Sequence, residues 1–436
     1  MNTTPMNKDN LSPFRIMLII FLVSFGSAVL FQIIYLRFVF YQPILDSLGI
    51  NNTQLGALGG IYGLVATICY LPGGIIADKI RAKYLAAVGF FTTAAVTLWF
   101  ATLPSYGSVV VIFGMLGVTS TFIFWGIRYK LVRLVSDEKT YPKNIGLSYG
   151  IYGVGGLLLN FIALKVFEAA ATNVATGFIS VLITSAVLNI IFGVAVLILV
   201  PKFDDEIKES SSFNLDEFKM ALKHPGVWLT TASMFFVYGA YAALGYTTPY
   251  LTEIFLAPMA VVSIVGMIRN YGIALFSAPI IGGLSTKFNS PAKVLVIIML
   301  LTAVCAGILI FLPASEALLM VAIIIVLIAG FFTSGAYGVA SSQFTESRVP
   351  TPIFGAATGI LSVIAFVPDM FVPILSGRWL DQHPGITGHQ YIFGMIIVFS
   401  ILAMICSIAI RIYAKKQDEK EALAVTEPVT ETTSEQ

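Results

Sequence analysis

About twelve stretches of twenty or so mostly apolar residues recur along this chain, and each is long enough to cross a hydrocarbon core of about 30 Å at 1.5 Å per residue. Inside lipid a backbone must satisfy its own hydrogen bonds, so runs of this length read as helices and not as barrel strands. The runs fall at 14–40, 53–76, 84–103, 107–133, 143–168 and 177–200, then at 226–252, 259–284, 292–312, 316–340, 352–378 and 390–413. The expected fold class is all-α and integral to a membrane, with twelve transmembrane helices in two pseudo-symmetric six-helix bundles.

Composition excludes the alternative of a water-soluble protein. Only 11% of the residues are charged against 57% hydrophobic, with a mean hydropathy of +0.90, too few charges to cover a surface in water. A net charge of +2 points to no nucleic acid or other polyanionic partner. Cys69, Cys305 and Cys406 each lie within an apolar run without paired spacing, so no disulfide framework and no metal site is expected. The first run is too long for a signal-peptide core and leads straight into further spans, so it reads as a retained helix.

Two charged hinges divide the chain alike. Gly73-Gly74-Ile75-Ile76-Ala77-Asp78-Lys79-Ile80-Arg81-Ala82-Lys83 reads as a loop between the second and third spans. A weaker copy, Gly282-Gly283-Leu284-Ser285-Thr286-Lys287, lies between the eighth and ninth. The expected organisation is an N-terminal segment (1–13), a first bundle (14–200), a polar linker (201–225), a second bundle (226–413) and a disordered Thr/Glu-rich tail (414–436). Within the linker, Asn214 is expected to cap a short surface helix at Leu215-Asp216-Glu217-Phe218. Lys and Arg gather on the loops that share a face with both termini, among them Lys79, Arg81, Lys83, Arg133, Lys202, Lys287 and Lys416. By the positive-inside rule that face is cytoplasmic, which suggests a multi-pass protein of a bacterial cytoplasmic (inner) membrane.

The layout and the first hinge carry a resemblance. The chain resembles the major facilitator superfamily of secondary transporters over residues of about 10 to 415. That family's loop motif, G-x-x-x-D-[RK]-x-G-[RK]-[RK], is matched by Gly74, Asp78, Lys79 and Lys83, with Arg81 where the second glycine would stand. The resemblance implies that this motif latches the two halves in the outward-open state. Within the superfamily, Tyr35-Leu36-Arg37…Pro43 and Phe236-Val237-Tyr238…Pro249-Tyr250-Leu251 are similar to bacterial organic-anion permeases, including the organophosphate antiporter branch. That branch's two arginines fall here at Tyr35 and near Ala240, so its phosphate-binding pair is not reproduced.

Charges inside spans mark function, because a charge at the bilayer centre costs about 2.5–3.5 kcal/mol even on the lenient scale. The third, sixth, ninth and twelfth spans have no ionisable residue in their interiors and are expected to face lipid. Arg37, Arg128, Arg269 and Asp369 lie in the others and would border a watery pathway. Arg269, about 15 Å into its helix, is expected to hold a solute's negative group, or else to form a structural pair. Asp369, flanked by Pro368 and Pro373, is expected to carry a coupling proton, or else to be a fixed partner at a kink. Arg37, at the outer mouth of the pathway, is expected to draw anions into it, or else to snorkel to headgroups. Arg128, near the inner end, is expected to be a further solute ligand, or else an ordinary inside anchor. Tyr35, Tyr241 and Tyr271 are the tyrosines expected to meet the solute, with simple packing as the alternative. Gly146, Gly150, Gly153, Gly155 and Gly156 in the fifth span read as close-packing positions.

His224, His383 and His389 fall in loops beyond the spans, and no nucleophile-plus-base or phosphate-cradling arrangement lies in the membrane, so an enzyme is not expected. No cofactor is implied. The expected protein is a secondary transporter of a small organic anion or polar metabolite, a symporter with protons as coupling ion, working as a monomer in a lipid bilayer. An exporter of amphipathic drugs or lipids and a non-transporting sensor or scaffold are the two competing classes.

Overall fold

The computed structural model describes residues 11–204, 206–207 and 215–426, and these contain no strand. Among the described residues, twelve helices are long and apolar enough to cross a membrane. They are α1 (Pro13–Phe38), α2 (Asn52–Lys79), α3 (Ala82–Ala101), α4 (Tyr106–Leu134), α5 (Tyr141–Ala170) and α6 (Val174–Leu199), followed by α7 (Pro225–Phe255), α8 (Met259–Lys287), α9 (Pro291–Phe311), α10 (Glu316–Ala340), α11 (Thr351–Gln382) and α12 (Ile386–Thr426).

Starts of helices are fixed by local chemistry. Ser12 caps α1 ahead of Pro13, and Asn51 with Gln54 and Asn173 with Thr176 form reciprocal capping boxes on α2 and α6. The duplication seen in the hinges extends to two acids. Glu206, in the linker, accepts from the Ala82 N–H at the start of α3. Glu346 accepts from the Ala292 N–H (2.8 Å) and the Ser290 hydroxyl (2.6 Å) at the start of α9, the corresponding helix of the second half. In both places a carboxylate meets the positive end of a helix.

Helices α3 and α6 pack extensively on each other, as do α9 and α12, and their outer faces are studded with exposed Ile, Leu and Val, for example Ile191, Ile198, Ile297 and Ile405. Water would not tolerate that surface, whereas lipid does.

The hinge after α2 is shorter than the sequence suggests. Helix α2 runs on to Lys79 and α3 begins at Ala82, so Gly73 to Lys79 is helix and not loop. Gly73 is the glycine under steric demand, since a Cβ there would come within 2.7 Å of the Thr121 carbonyl oxygen of α4; Gly74 faces open space. Two further expectations need correction. The final helix continues through residues 414–426, where Lys415 pairs with Glu419 (3.7 Å) one turn on, so that part of the tail is helical. His389 is not in a loop: it lies in the first turn of α12, 1% exposed, with Nε2 3.1 Å from the Glu253 carboxylate of α7. The linker helix is present as Leu215–Lys223, while its expected cap, Asn214, lies outside the described residues.

The two halves meet tightly toward the face opposite the basic loops, here the far face, and part toward the basic face. Glycines record the taper. On α5, Gly153 and Gly156 press on Leu275 and Tyr271 of α8, but Gly146 and Gly150, nearer the basic face, have nothing within 4 Å of a Cβ. On α11, Gly377 lies against Asn52 of α2, while Gly355 and Gly359 face open space. A cavity between the halves, closed at the far face and open toward the basic face, follows from these contacts.

Candidate functional site

Breaks in four helices position the polar side chains of that cavity. Helix α1 tightens into a 3₁₀ turn at Leu36–Phe38, which carries Arg37. Helices α4 and α8 each contain a π-turn, at Val118–Phe124 and at Ile268–Gly272, and the second carries Arg269. Helix α11 is interrupted before Pro368, and Asp369 opens its second segment.

Arg269 is already occupied in this conformation. Its Nη1 donates to the carbonyls of Leu244 (3.0 Å) and Gly245 (3.4 Å) and to the Thr247 hydroxyl, and Nε donates to Asn270 Oδ1 (3.3 Å). The carbonyls belong to a break in α7, whose helical turns stop at Leu244 and resume at Thr247, so the guanidinium serves as the cap that the broken helix lacks. The residue is 4% exposed and makes no ion pair with Asp369. Arg269→Ala would remove charge-assisted bonds worth about 1.5–3 kcal/mol each, leaving the Leu244 carbonyl with the Thr247 hydroxyl (2.8 Å) and the Gly245 carbonyl with only the long bond from the Thr248 N–H (3.4 Å). We expect a fall in melting temperature of several degrees in a thermal-shift measurement, and little rescue by lysine, which lacks the planar fork.

Arg37 presents the opposite case. It is 9% exposed, its guanidinium lies 4.9 Å from the centre of the Phe38 ring, and no hydrogen bond or ion pair reaches it among the described residues. A Cβ on Gly59 of α2 would overlap its Nη1. One turn further along α2, a Cβ on Gly63 would come within 2.7 Å of the Asp369 carbonyl oxygen and 2.8 Å of its Cβ. Arg37 and Asp369 therefore meet α2 one helical turn apart, at Gly59 and Gly63. Neither forms an ion pair among the described residues.

Asp369 is half-buried, and its Oδ2 accepts a 2.6 Å hydrogen bond from the Tyr238 hydroxyl of α7. Tyr238 stands in the Phe236-Val237-Tyr238 stretch of the permease resemblance, but nothing in the sequence marked it as a partner of Asp369. The expected Tyr241 is half-buried and stacked on Tyr337 at 5.3 Å. Tyr35 is half-buried and stacks between Phe31 (6.2 Å) and Phe38 (5.9 Å). Tyr271, 7% exposed, packs on Gly156 of α5 at the seam of the two halves. Tyr70 of α2 meets Phe366 of α11 at 5.5 Å and Trp125 of α4 at 5.4 Å, which completes an aromatic wall across both halves.

Arg128 lies toward the basic face, buried against three tyrosine rings, with the nearest, Tyr149, at 4.2 Å and Tyr152 at 5.1 Å. Its Nε donates to the Ser148 hydroxyl (2.9 Å), and Nη2 has no acceptor. Of the hinge residues, Arg81 reaches Glu206 (3.7 Å) and the Phe203 carbonyl (3.3 Å), which ties the linker to the first half. Asp78 is half-buried and makes no ion pair among the described residues; Lys79 is exposed and Lys83 half-buried. Lys130 caps the end of α2 through the carbonyls of Ala77 (2.5 Å) and Ile80 (2.9 Å).

A family model described as Major Facilitator Superfamily matches residues 16–365 and 230–433. The chain is 28% identical over 394 residues to inner membrane protein YqcE of Escherichia coli (strain K12), covering 87% of this chain and 93% of that one. It is 25% identical over 366 residues to "Probable nitrate transporter NarT" of Staphylococcus haemolyticus (strain JCSC1435), covering 82% and 87%. Among solved structures, a bacterial homologue of the human lysosomal transporter Spinster, inward-facing and unoccupied, superposes with a TM-score of 0.73 at 13% identity, covering 94% of this chain and 99% of that one. At that identity the likeness concerns the fold.

Proposed function

The chain belongs to the Major Facilitator Superfamily, and from that premise we propose that it moves a small organic anion across a bacterial inner membrane by alternating access, coupled to protons. Its family and fold make it a multi-pass membrane transporter and not an enzyme. With the basic face cytoplasmic, as the positive-inside rule has it, both termini are cytoplasmic and the cavity opens inward.

The observation that carries the anionic reading is Arg37. A buried cation without an acceptor is costly by several kcal/mol, and a solute carboxylate or comparable oxyanion would supply the acceptors it lacks. Arg128, with one unmatched Nη2, adds a second positive charge nearer the cytoplasmic mouth. The half-buried rings of Tyr35, Tyr70 and Tyr241 offer faces to the rest of the solute. The nitrate named for NarT is an anion as well.

Coupling follows from the spacing of Arg37 and Asp369. An ionised Asp369, resting on α2 one turn from Arg37, competes with the solute for Arg37's field. Protonation of Asp369 removes that competition, so proton and anion favour each other's binding, which is the requirement for symport. Tyr238 holds the carboxylate at the cavity wall.

The test is uptake into proteoliposomes of a panel of small carboxylates, each competed against hydrophobic cations, at pH 6 and pH 8. Carboxylates should be accumulated and should compete, and cations should not. Asp369→Asn should abolish the pH dependence of uptake while leaving counterflow intact; accumulation that still follows the proton gradient in that variant would remove Asp369 from the coupling role.

A further inference from the structure

One carboxylate ties the two halves together at the far face. Asp381, near the end of α11, accepts four hydrogen bonds from the first turn of α2: from the N–H groups of Asn52 (3.2 Å) and Thr53 (2.7 Å), from Asn52 Nδ2 (2.9 Å) and from Thr53 Oγ1 (2.5 Å). The first turn of a helix has unpaired N–H groups and a positive pole, so an anion is favoured there. Tyr41 donates to Asn52 Oδ1 (2.9 Å) and so turns the amide's Nδ2 toward Asp381. Gly377, one turn before Asp381, lets α11 lie directly on the Asn52 carbonyl.

These bonds join helices from opposite halves, so they exist only while the far face is closed. We propose that Asp381 is the far-face latch: its carboxylate, seated on the first turn of α2, holds the cavity closed on that side and sets the balance between the two end states of the cycle. At the other end of α2, Asp78 makes no ion pair among the described residues while the basic face is open. Because Asp381 is exposed to solvent, water and salt moderate the latch, and the expected effect is a population shift of about tenfold, not a lock.

The test needs no solute, so it can fail or succeed independently of the transport reading. Ser263 of α8 is fully buried and donates to the Val39 carbonyl of α1 (3.0 Å) across the halves, so Ser263→Cys reports opening at the far face. Gly146→Cys, in the open cleft of α5, reports the basic face. In membranes, the rate of alkylation by a maleimide should rise about tenfold at position 263 and fall at position 146 when Asp381→Ala is added. Asp381→Asn, which keeps the shape but not the charge, should shift both in the same directions by less. Rates at position 263 within twofold of the Asp381 parent in both variants would overturn the latch. A rise at both positions would overturn it too, since that is loosening and not switching.

Discussion

Arg37→Ala should lower solute affinity by at least a hundredfold while leaving the melting temperature of the solute-free protein unchanged. The affinity loss follows from what the guanidinium offers: a planar fork able to make two charge-assisted bonds, each worth about 1.5–3 kcal/mol, together on the order of a hundredfold or more in Kd. The unchanged stability follows from what it lacks. No protein acceptor engages it, so truncation leaves no buried carbonyl stranded and removes an unpaired charge. Arg37→Lys keeps the charge but not the fork and should fall between. Binding by scintillation proximity and thermal shift on the same preparations separate the two effects. Arg269→Ala should show the reverse pattern, reduced stability first. If Arg37→Ala lowers stability as Arg269→Ala does and leaves affinity intact, the two arginines have been given each other's roles.

Gly56→Val should reduce transport to below about 5% of the parent, because packed interfaces have discrete arrangements and not continuous ones. A Cβ at position 56 would overlap the carbonyl oxygen of Pro373, and its nearest other neighbours are the Pro373 carbonyl carbon at 2.8 Å and the Ile374 Cα at 3.3 Å. All three are backbone atoms, so no side-chain rotation relieves the clash. Gly60 and Gly63 continue the same stripe, meeting the Met370 carbonyl oxygen and the Asp369 backbone, each at 2.7 Å. The far face could then not close, and the protein should be held outward-open. Uptake should vanish, solute binding from the outside should persist, and Ser263→Cys should become reactive from that side. Transport at more than half the parent's rate would mean that the α2–α11 seam is not the closing surface.

The seam and Arg37 explain one another. Gly59 is where the Arg37 guanidinium rests, with Pro373 Cβ of α11 3.1 Å from the same Cβ position, and its neighbours in the stripe are where α11 rests, so the cation lies directly under the closing seam. A solute anion bound to Arg37 would therefore be sealed from the far side by the same contacts.

The sequence by itself determined the membrane class, the twelve spans, the duplicated halves and the superfamily, because each rests on local quantities: run length, charge scarcity and hinge residues that lipid and water read one segment at a time. It also identified Arg37, Arg128, Arg269 and Asp369 as residues that need a reason to be in a membrane. It could not assign those reasons. Whether an arginine is free or spent depends on acceptors brought from other helices: the Leu244 and Gly245 carbonyls that engage Arg269 come from a break in α7, while among the described residues no acceptor reaches Arg37. Nor does any periodicity announce that the glycines of α2 face Pro373, or that Asp381 finds the first turn of α2 more than three hundred residues away. Hydropathy fixes how each helix meets lipid, but the partners of buried charges and the side on which the cavity closes come from contacts between helices far apart in the chain, which no single segment encodes.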